Sequence, residues 1–89
     1  MIERQVEIVN RLGLHARAAA KLVQTAGAYE SRLWLVKDGE VVDAKSILGL
    51  LLLAAGQGTT IILRAEGADE EVALDAVADL IADRFHEET

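Results

Sequence analysis

The sequence lacks several residue types, and each absence narrows the possible folds and sites. It has no cysteine, which excludes a disulfide framework, a thiolate metal site and a thiol nucleophile. Only 3% of the residues are aromatic while 52% are hydrophobic, so the core must consist of Leu, Val, Ile and Ala. No proline, repeat or low-complexity linker interrupts the 89 residues. This length and continuity predict one domain spanning residues 1–89.

Long hydrophobic runs are also absent. The longest uncharged apolar run, residues 47–55, has nine residues, whereas a membrane-spanning helix needs about 20. The first ten residues interleave charged and apolar side chains, unlike a secretory signal. We therefore expect a cytoplasmic protein that does not insert into membranes.

Acidic residues are missing from one stretch of an otherwise acidic chain. The net charge of −6 argues against nucleic acid as a partner, because phosphate backbones select basic surfaces. Although the chain has 15 acidic residues, none lies between Glu7 and Glu30. Such a basic island suits a small anion or an acidic protein surface, and chance clustering on a solvated helix face is the alternative. The basic side chains in this window are Arg11, His15, Arg17 and Lys21.

Hydrophobic periodicity and turn signals predict four strands and three helices. The Asp38-Gly39 pair between the second and third strands is typical of a hairpin turn. The order strand, helix, strand, strand, helix, strand, helix indicates an α+β fold, with helices packed on one face of a largely antiparallel sheet. The predicted strands span residues 2–9, 32–37, 40–43 and 59–65.

The predicted helices have recognisable ends. The first spans residues 16–26, with Gly27 as its C-terminal cap. Ser46 is the predicted N-cap of a second, short helix that ends near Gly56. The third begins after Gly67, where three consecutive acidic residues complement the helix dipole. The apolar stripe expected to cover the sheet comprises Val72, Ala73, Ala76, Val77, Leu80 and Ile81.

His15 is the first candidate for chemistry. It precedes a predicted helix whose first backbone N–H groups lack partners and carry about half a positive charge. That end favours a bound anion and a neutral, nucleophilic imidazole. The ring can then accept a phosphoryl group covalently, with the helix end and Arg17 holding its oxygens. Ala16 cannot cap the helix, so the N–H groups of Ala16 and Arg17 remain for a ligand. For a lone histidine, an ordinary surface position is the alternative.

Other chemistries have less support. His86, the only other histidine, lies in the segment "RFHEET", which is predicted to be frayed and solvated. The sequence has no Ser/His/Asp spacing, Gly-rich phosphate cradle or metal-ligand cluster, so we expect no metal and no cofactor. No residue stands out that would activate water to remove phosphate from His15, which favours a carrier over a hydrolase.

Ser46 and the apolar run behind it form a second candidate site. Ser46 is either only a helix cap or also a phosphorylation site, because a phosphate at a helix N-terminus is electrostatically tolerated. The run "ILGLLLL" is apolar on nearly all sides, yet a two-turn helix buries only one side under a sheet. Either the helix is fully buried, or large side chains stay exposed for a protein partner, namely some of Ile47, Leu48, Leu51 and Leu52.

These motifs together resemble the HPr family, the histidine-containing phosphocarriers of the bacterial phosphoenolpyruvate-dependent phosphotransferase system. The resemblance rests on "GLHAR" at residues 13–17, the "AAAKLVQTA" that follows, and "SILGLLLLAAGQGT" from Ser46. It covers essentially the whole chain, including the "GADEEVAL" segment that leads into the last helix. It implies an open-faced β-sandwich, in which three helices cover one face of a four-stranded antiparallel sheet.

The resemblance also implies a role for each candidate residue. His15 would accept a phosphoryl group on Nδ1 from phospho-Enzyme I and donate it to a histidine of a IIA component for sugar uptake. Arg17 would stabilise that group, and Ser46 would be a regulatory site for an ATP-dependent HPr kinase/phosphorylase. The protein would be a carrier rather than an enzyme. The implied docking surface for both partners comprises Ala16, Ala20 and Gln24 on the first helix with Ile47, Leu48 and Leu51 on the second.

The first helix departs from the family pattern, and two other functions stay open. Gln24 and Gly27 stand where enteric members have some basic residues, so we expect a different partner preference. Ala18 stands where family members commonly have proline, which we expect to loosen the start of the helix and slow transfer without abolishing it. A regulatory family member, serving nitrogen or carbon control without sugar transport, is the alternative function. A small α+β interaction or metabolite-binding module is a more distant one. We expect a monomer.

Overall fold

The computed structural model describes all 89 residues and contains the predicted order of elements. A short 3-10 helix, Arg84–His86, follows the third α-helix. None of the helices combines the length and hydrophobicity that a membrane span requires. The elements are β1 (Ile2–Glu7), α1 (Ala16–Gly27), β2 (Arg32–Lys37), β3 (Glu40–Asp43), α2 (Ile47–Leu53), β4 (Thr60–Glu66) and α3 (Glu70–Ala82).

The four strands form one antiparallel sheet in the order β1-β4-β2-β3. Strands β2 and β3 are joined by the predicted two-residue turn, in which Asp38 and Gly39 have φ angles of 50° and 83°. Positive φ at both central residues matches the right-handed twist of the flanking strands. The α+β fold class is therefore confirmed, with β4 and β2 as the two interior strands of the sheet.

The core lies between the sheet and the three helices. Alternate residues of the strands point into it, including Leu33 and Leu35 of β2 and Ile61 and Leu63 of β4. Successive strand side chains point to opposite faces, so Trp34 and Val36 of β2 lie on the uncovered face and are only half-buried. The fold is the open-faced sandwich that the family resemblance implies.

Several predicted boundaries and core positions differ from the structure. Strand β1 ends at Glu7, and α1 includes Gly27, with Ala28 as its cap. Helix α2 ends at Leu53 because Ala54 adopts a left-handed conformation, with φ of 54°, and its N–H bonds to the Leu51 carbonyl. The side chain of Lys37 donates a hydrogen bond of 3.1 Å to the Leu53 carbonyl, which gives this last helical carbonyl a partner.

The predicted apolar stripe of α3 is wrong at Val72, which is 56% exposed. Leu74 and Ala78 are buried instead, beside the correctly predicted Ala73, Val77, Leu80 and Ile81. The helical period of 3.6 residues puts Val72 and Ala76 in one row, at the edge of the helix face that packs into the core. Ala76 is only half-buried.

The prediction of a frayed tail is also wrong. Phe85 is completely buried, and three consecutive residues, Arg84, Phe85 and His86, have positive φ angles of 57°, 54° and 65°. These angles turn the chain back toward the loop before α1, where the Arg11 N–H donates to the Thr89 carbonyl at 2.6 Å. The His86 side chain itself is exposed, as expected, with Nδ1 at 2.5 Å from a carboxylate oxygen of Asp83. The tail therefore packs beside the loop that carries His15.

Candidate functional site

His15 is the N-cap residue of α1, with φ of −79° and ψ of 180°. Its carbonyl accepts the N–H of Ala19 at 2.8 Å, but its side chain makes no capping hydrogen bond. The first three helical N–H groups, of Ala16, Arg17 and Ala18, find no acceptor elsewhere in the chain. An anion placed beside the imidazole would meet these N–H groups at the positive end of the helix dipole.

Gly13 places the loop that carries His15. Its φ is +66°, and a Cβ there would lie 2.7 Å from the Ala55 carbonyl oxygen and 2.8 Å from Gly56 Cα. The next N–H, of Leu14, donates to the same Ala55 carbonyl at 2.8 Å. Only glycine combines this backbone conformation with so close an approach. The loop before α1 is thereby held against the end of α2.

Glu87 contacts His15 although the two residues are 72 positions apart. One carboxylate oxygen bonds to His15 Nε2, and the other accepts a hydrogen bond of 3.0 Å from Asn10 Nδ2. An ionised carboxylate only accepts hydrogen bonds, so the ring carries its hydrogen on Nε2. In the neutral ring Nδ1 then keeps its lone pair. Nδ1 itself makes no hydrogen bond within the chain.

The surroundings of Glu87 keep it ionised. Desolvation acts to raise the pKa of its carboxyl group, but the hydrogen bonds from Asn10 and His15 and the electrostatic influence of the neighbouring basic side chains outweigh it. The net result is a pKa below the ordinary value of 4.5. A carboxylate therefore faces His15 at neutral pH.

The basic island predicted from the sequence is divided between two roles. Arg17, in the first turn of α1, is exposed and forms no ion pair or side-chain hydrogen bond within the chain. Lys21 lies one turn further on and donates to the Phe85 carbonyl at 2.6 Å. Arg17 thus remains available to an anion near His15, whereas Lys21 holds the tail; Arg11, also exposed, likewise has no side-chain partner.

An apolar surface lies next to this site. Ile47, Leu48, Leu51 and Leu52 of α2 are 38–71% exposed, and we call these four residues the leucine patch. Complete burial of α2, the alternative considered above, is therefore excluded. On α1 the spacing of four residues puts the half-buried Ala20 in one row with the exposed residues Ala16 and Gln24. The contacts of Gly13 and Leu14 with Ala55 bring the two surfaces together.

Ser46 is the N-cap of α2, as predicted. Its Oγ accepts the N–H of Gly49 at 3.1 Å, and its side chain is half-buried. Because the opposite end of α2 faces the loop before His15, Ser46 stands at the end of the helix remote from that loop. No hydrogen bond joins it to His15 or Arg17.

Three residues near the site were not predicted: Asn10, Leu12 and Glu87. Asn10 is completely buried, and its Nδ2 also donates to the Gly13 carbonyl at 2.7 Å. Leu12, in the same loop, is 66% exposed and extends the apolar surface around His15. A buried asparagine leaves no local sequence signal, and Glu87 lies in a run of charges that is typical of a solvated helix end. No group of three or more His, Asp or Glu side chains is arranged to hold a metal ion.

Comparison with known proteins identifies the chain's relatives. The family model described as "PTS HPr component phosphorylation site" matches residues 2–83. The chain belongs to the HPr family. The phosphocarrier protein HPr of Cupriavidus necator is 52% identical over 87 residues, 98% of each chain. The phosphocarrier protein NPr of Shewanella violacea is 45% identical over 86 residues, 97% of this chain and 94% of that protein.

Solved structures of the family agree with the fold. A crystal structure of HPr from Thermoanaerobacter tengcongensis superposes with a TM-score of 0.96 at 49% identity and covers both chains completely. A dimeric HPr from the same organism has a TM-score of 0.79 and covers 98% of this chain and 100% of its own. The chain is accordingly a member of the HPr phosphocarriers of the phosphotransferase system.

Proposed function

We propose that this protein accepts a phosphoryl group on Nδ1 of His15 from phospho-Enzyme I and passes it to a IIA component for sugar uptake. The observation that carries the proposal is the position of His15 at the start of α1, beside backbone N–H groups that have no acceptor in the chain. Residues 1–89 act together as one phosphocarrier domain, which we place in the cytoplasm.

The arrangement suits a carrier because it binds a phosphoryl group without activating water. The lone pair of Nδ1 attacks phosphorus, and the bond between phosphorus and the donor nitrogen breaks with its electrons returning to the donor. The N–H groups of Ala16 and Arg17 and the Arg17 guanidinium stabilise the oxygens of the transferred group. The phosphohistidine is then a covalent intermediate, and the reverse displacement on a second partner regenerates the ring.

The proposed docking surface combines the leucine patch with Ala16, Ala20 and Gln24 of α1. Apolar side chains exposed beside a reactive residue suit a partner that must bring its own histidine to the same site. All four residues of the leucine patch contribute from α2, of which the family resemblance implies Ile47, Leu48 and Leu51, and Leu12 adds exposed apolar area from the loop before His15. Because the carrier serves Enzyme I and a IIA component in turn, both partners use this surface. The protein acts as a monomer in this cycle.

We also propose that Ser46 is a regulatory phosphorylation site for an HPr kinase/phosphorylase. Its side chain is half-buried and stands at the N-terminal end of α2, beside the leucine patch. A phosphate there would add about two negative charges next to the docking surface without opposing the helix dipole. The added charge would weaken partner docking and leave the fold intact.

The alternative is a regulatory phosphorelay without sugar transport, and the similarity to a protein named NPr favours keeping it. The phosphoryl chemistry at His15 is the same in both cases, so the site geometry does not separate them. Transfer to a IIA component that belongs to a sugar permease, compared with transfer to one that lacks a permease, distinguishes the two functions.

Phosphorylation by phosphoenolpyruvate and Enzyme I tests the carrier function. We expect one equivalent of acid-labile, base-stable phosphate on the wild type and none on His15→Ala. A chase with an unphosphorylated IIA component should remove the label. The proposal is wrong if the wild type gains no such label, or if His15→Ala gains as much.

A further inference from the structure

We propose that Glu87 is a positioning residue for phosphoryl transfer, because its carboxylate holds the hydrogen of His15 on Nε2 and so directs the Nδ1 lone pair at phosphorus. This inference rests on the proposed function and deepens it. Glu87 acts through His15 and does not itself contact the phosphoryl group.

The position of Glu87 is held from two sides. Both partners of Asn10 Nδ2, the Gly13 carbonyl and a Glu87 carboxylate oxygen, are acceptors, which assigns the amide orientation. Asn10 is completely buried, so it ties the tail to the His15 loop from inside the molecule. On the other side the buried Phe85 ring anchors the tail two residues before Glu87. The Asn10 hydrogen bond and the packing of Phe85 therefore fix the position of the Glu87 carboxylate.

The charges around Glu87 fit this role. Its side chain is 14% exposed, and the titratable groups that act on it are His15 and Lys21, both basic. Lys21 approaches from α1, His15 from the start of that helix, and Asn10 is the polar neighbour from the loop. No second carboxylate competes for the Nε2 hydrogen, because the hydrogen bonds and ion pairs of His15 include Glu87 alone.

The carboxylate matters in both directions of transfer. When the Nδ1 lone pair forms the bond to phosphorus, the hydrogen stays on Nε2 and the ring gains positive charge, which Glu87 balances. When the ring gives up the phosphoryl group, the electrons of the broken bond return to Nδ1. The leaving group is then a neutral imidazole, and no proton has to move. A carboxylate that orients a histidine through its second nitrogen uses the same physical principle in other sites.

Glu87→Gln tests the role with almost no change in shape. Asn10 and His15 bind different oxygens of the carboxylate, and glutamine replaces one of these oxygens with an NH2 donor, so one of the two contacts loses its acceptor. If its nitrogen turns to His15, the ring hydrogen moves to Nδ1 and blocks the nucleophile. We expect the ring nitrogen NMR shifts to report a mixture of the two tautomers in Glu87→Gln and only the Nε2–H form in the wild type. Glu88→Gln, an exposed neighbour, is the matched control and should behave like the wild type.

The kinetic measurement uses phosphorylation by Enzyme I over a range of its concentrations and of pH. We expect kcat to fall on the order of 10- to 100-fold in Glu87→Gln, with little change in KM and a changed pH profile. The positioning role is overturned if Glu87→Gln keeps the Nε2–H tautomer, or if its kcat stays within about twofold of Glu88→Gln. Because the tautomer is measured without a partner, the two failures are distinguishable. Absence of label on the wild type would overturn the carrier function and with it the role in transfer, whereas loss of the Nε2–H form in Glu87→Gln would still show that Glu87 orients the ring.

Discussion

Lys21 Nζ donates a hydrogen bond of 2.6 Å to the backbone carbonyl of Phe85, across 64 positions of sequence. His15 is the N-cap of helix α1, and Lys21 of the same helix holds the segment that positions Glu87. The site and the packing of the tail are consequently one structural unit. A substitution that loosens the tail should therefore alter the reactivity of the His15 imidazole, even where the substituted residue does not contact that ring.

Phe85→Ala tests this coupling between tail and site. Phe85 is completely buried, and removing a buried phenylalanine ring costs about 3–5 kcal/mol of unfolding free energy. We expect a loss of that size in urea denaturation, together with loss of the single His15 tautomer in NMR spectra. Phe85→Leu retains most of the volume and should lose less in both measurements. A loss below about 1 kcal/mol for the alanine variant would show that the tail is not part of the cooperative core.

Gly13→Ala should destabilise the protein and disturb the site. The left-handed conformation costs an alanine about 1–2 kcal/mol, and the added Cβ would also overlap the Ala55 carbonyl. Gly27→Ala is the matched control, because a Cβ there meets nothing within 4 Å and its φ is not in the left-handed region. We expect the control to be neutral or stabilising by up to about 1 kcal/mol. Urea denaturation measures both, and equal effects would contradict the assignment of strain to Gly13.

Ser46 variants separate the capping role from phosphorylation. Ser46→Ala loses the hydrogen bond to the Gly49 N–H, which we expect to cost about 1 kcal/mol of unfolding free energy. Ser46→Asn keeps an acceptor at the cap and should cost only a few tenths. Neither variant should gain acid-stable phosphate from ATP and an HPr kinase/phosphorylase, whereas the wild type should. Label on Ser46→Asn would place the phosphorylation site elsewhere.

Charged substitutions in the leucine patch should weaken partner binding without unfolding the protein. Leu48 and Leu52 are 64% and 71% exposed, so Leu48→Lys and Leu52→Lys remove little buried area. We expect each to raise the KM for Enzyme I by about tenfold, equivalent to about 1.4 kcal/mol of docking energy. Val72→Lys, at a 56% exposed position on α3, is the control and should leave KM unchanged. Similar KM values for all three variants would contradict the proposed docking surface.

Acid should destabilise the protein because it protonates Asp69 and Glu87, two carboxylates that accept hydrogen bonds from residues distant in sequence. Hydrogen bonds from the Ser31 side chain and the Glu30 N–H, and then from the Ser31 N–H, hold the pKa of Asp69 below its ordinary 3.8 despite an opposing desolvation. The pKa of Glu87 likewise lies below 4.5. A lowered folded-state pKa contributes stability that is complete above the ordinary value and disappears as pH falls through the folded value.

The measurement is the free energy of unfolding by urea between pH 7 and pH 2. We expect wild-type stability to begin falling near pH 4.5 and to fall further below pH 3.8. The difference between the wild type and Asp69→Asn should shrink over the lower part of this range. The difference from Glu87→Gln should shrink over the upper part. Differences that stay constant with pH would contradict the hydrogen-bond assignment.

Much of the fold follows from interactions between residues close in sequence. The Asp38-Gly39 turn and the Ser46 cap each depend on contacts within four residues, and both are observed where the sequence predicts them. The same holds for the position of His15, because α1 begins at Ala16, where the run of alanine residues begins. Hydrophobic periodicity predicts burial less reliably at the edge of a helix face that packs into the core, as the exposed Val72 of α3 shows.

The residues that complete the site depend on contacts that no local pattern encodes. Glu87 meets His15 across 72 positions and Asn10 across 77, while Asp69 reaches Ser31 across 38. A glutamate in a charged tail has the same local surroundings whether it is solvated or folded back. By itself the sequence determined the order of elements, the helix mouth with its histidine, and the family to which these motifs belong. Only the tertiary structure decided which carboxylate faces His15, because burial of Phe85 and the left-handed turn at Arg84–His86 bring the tail to the site.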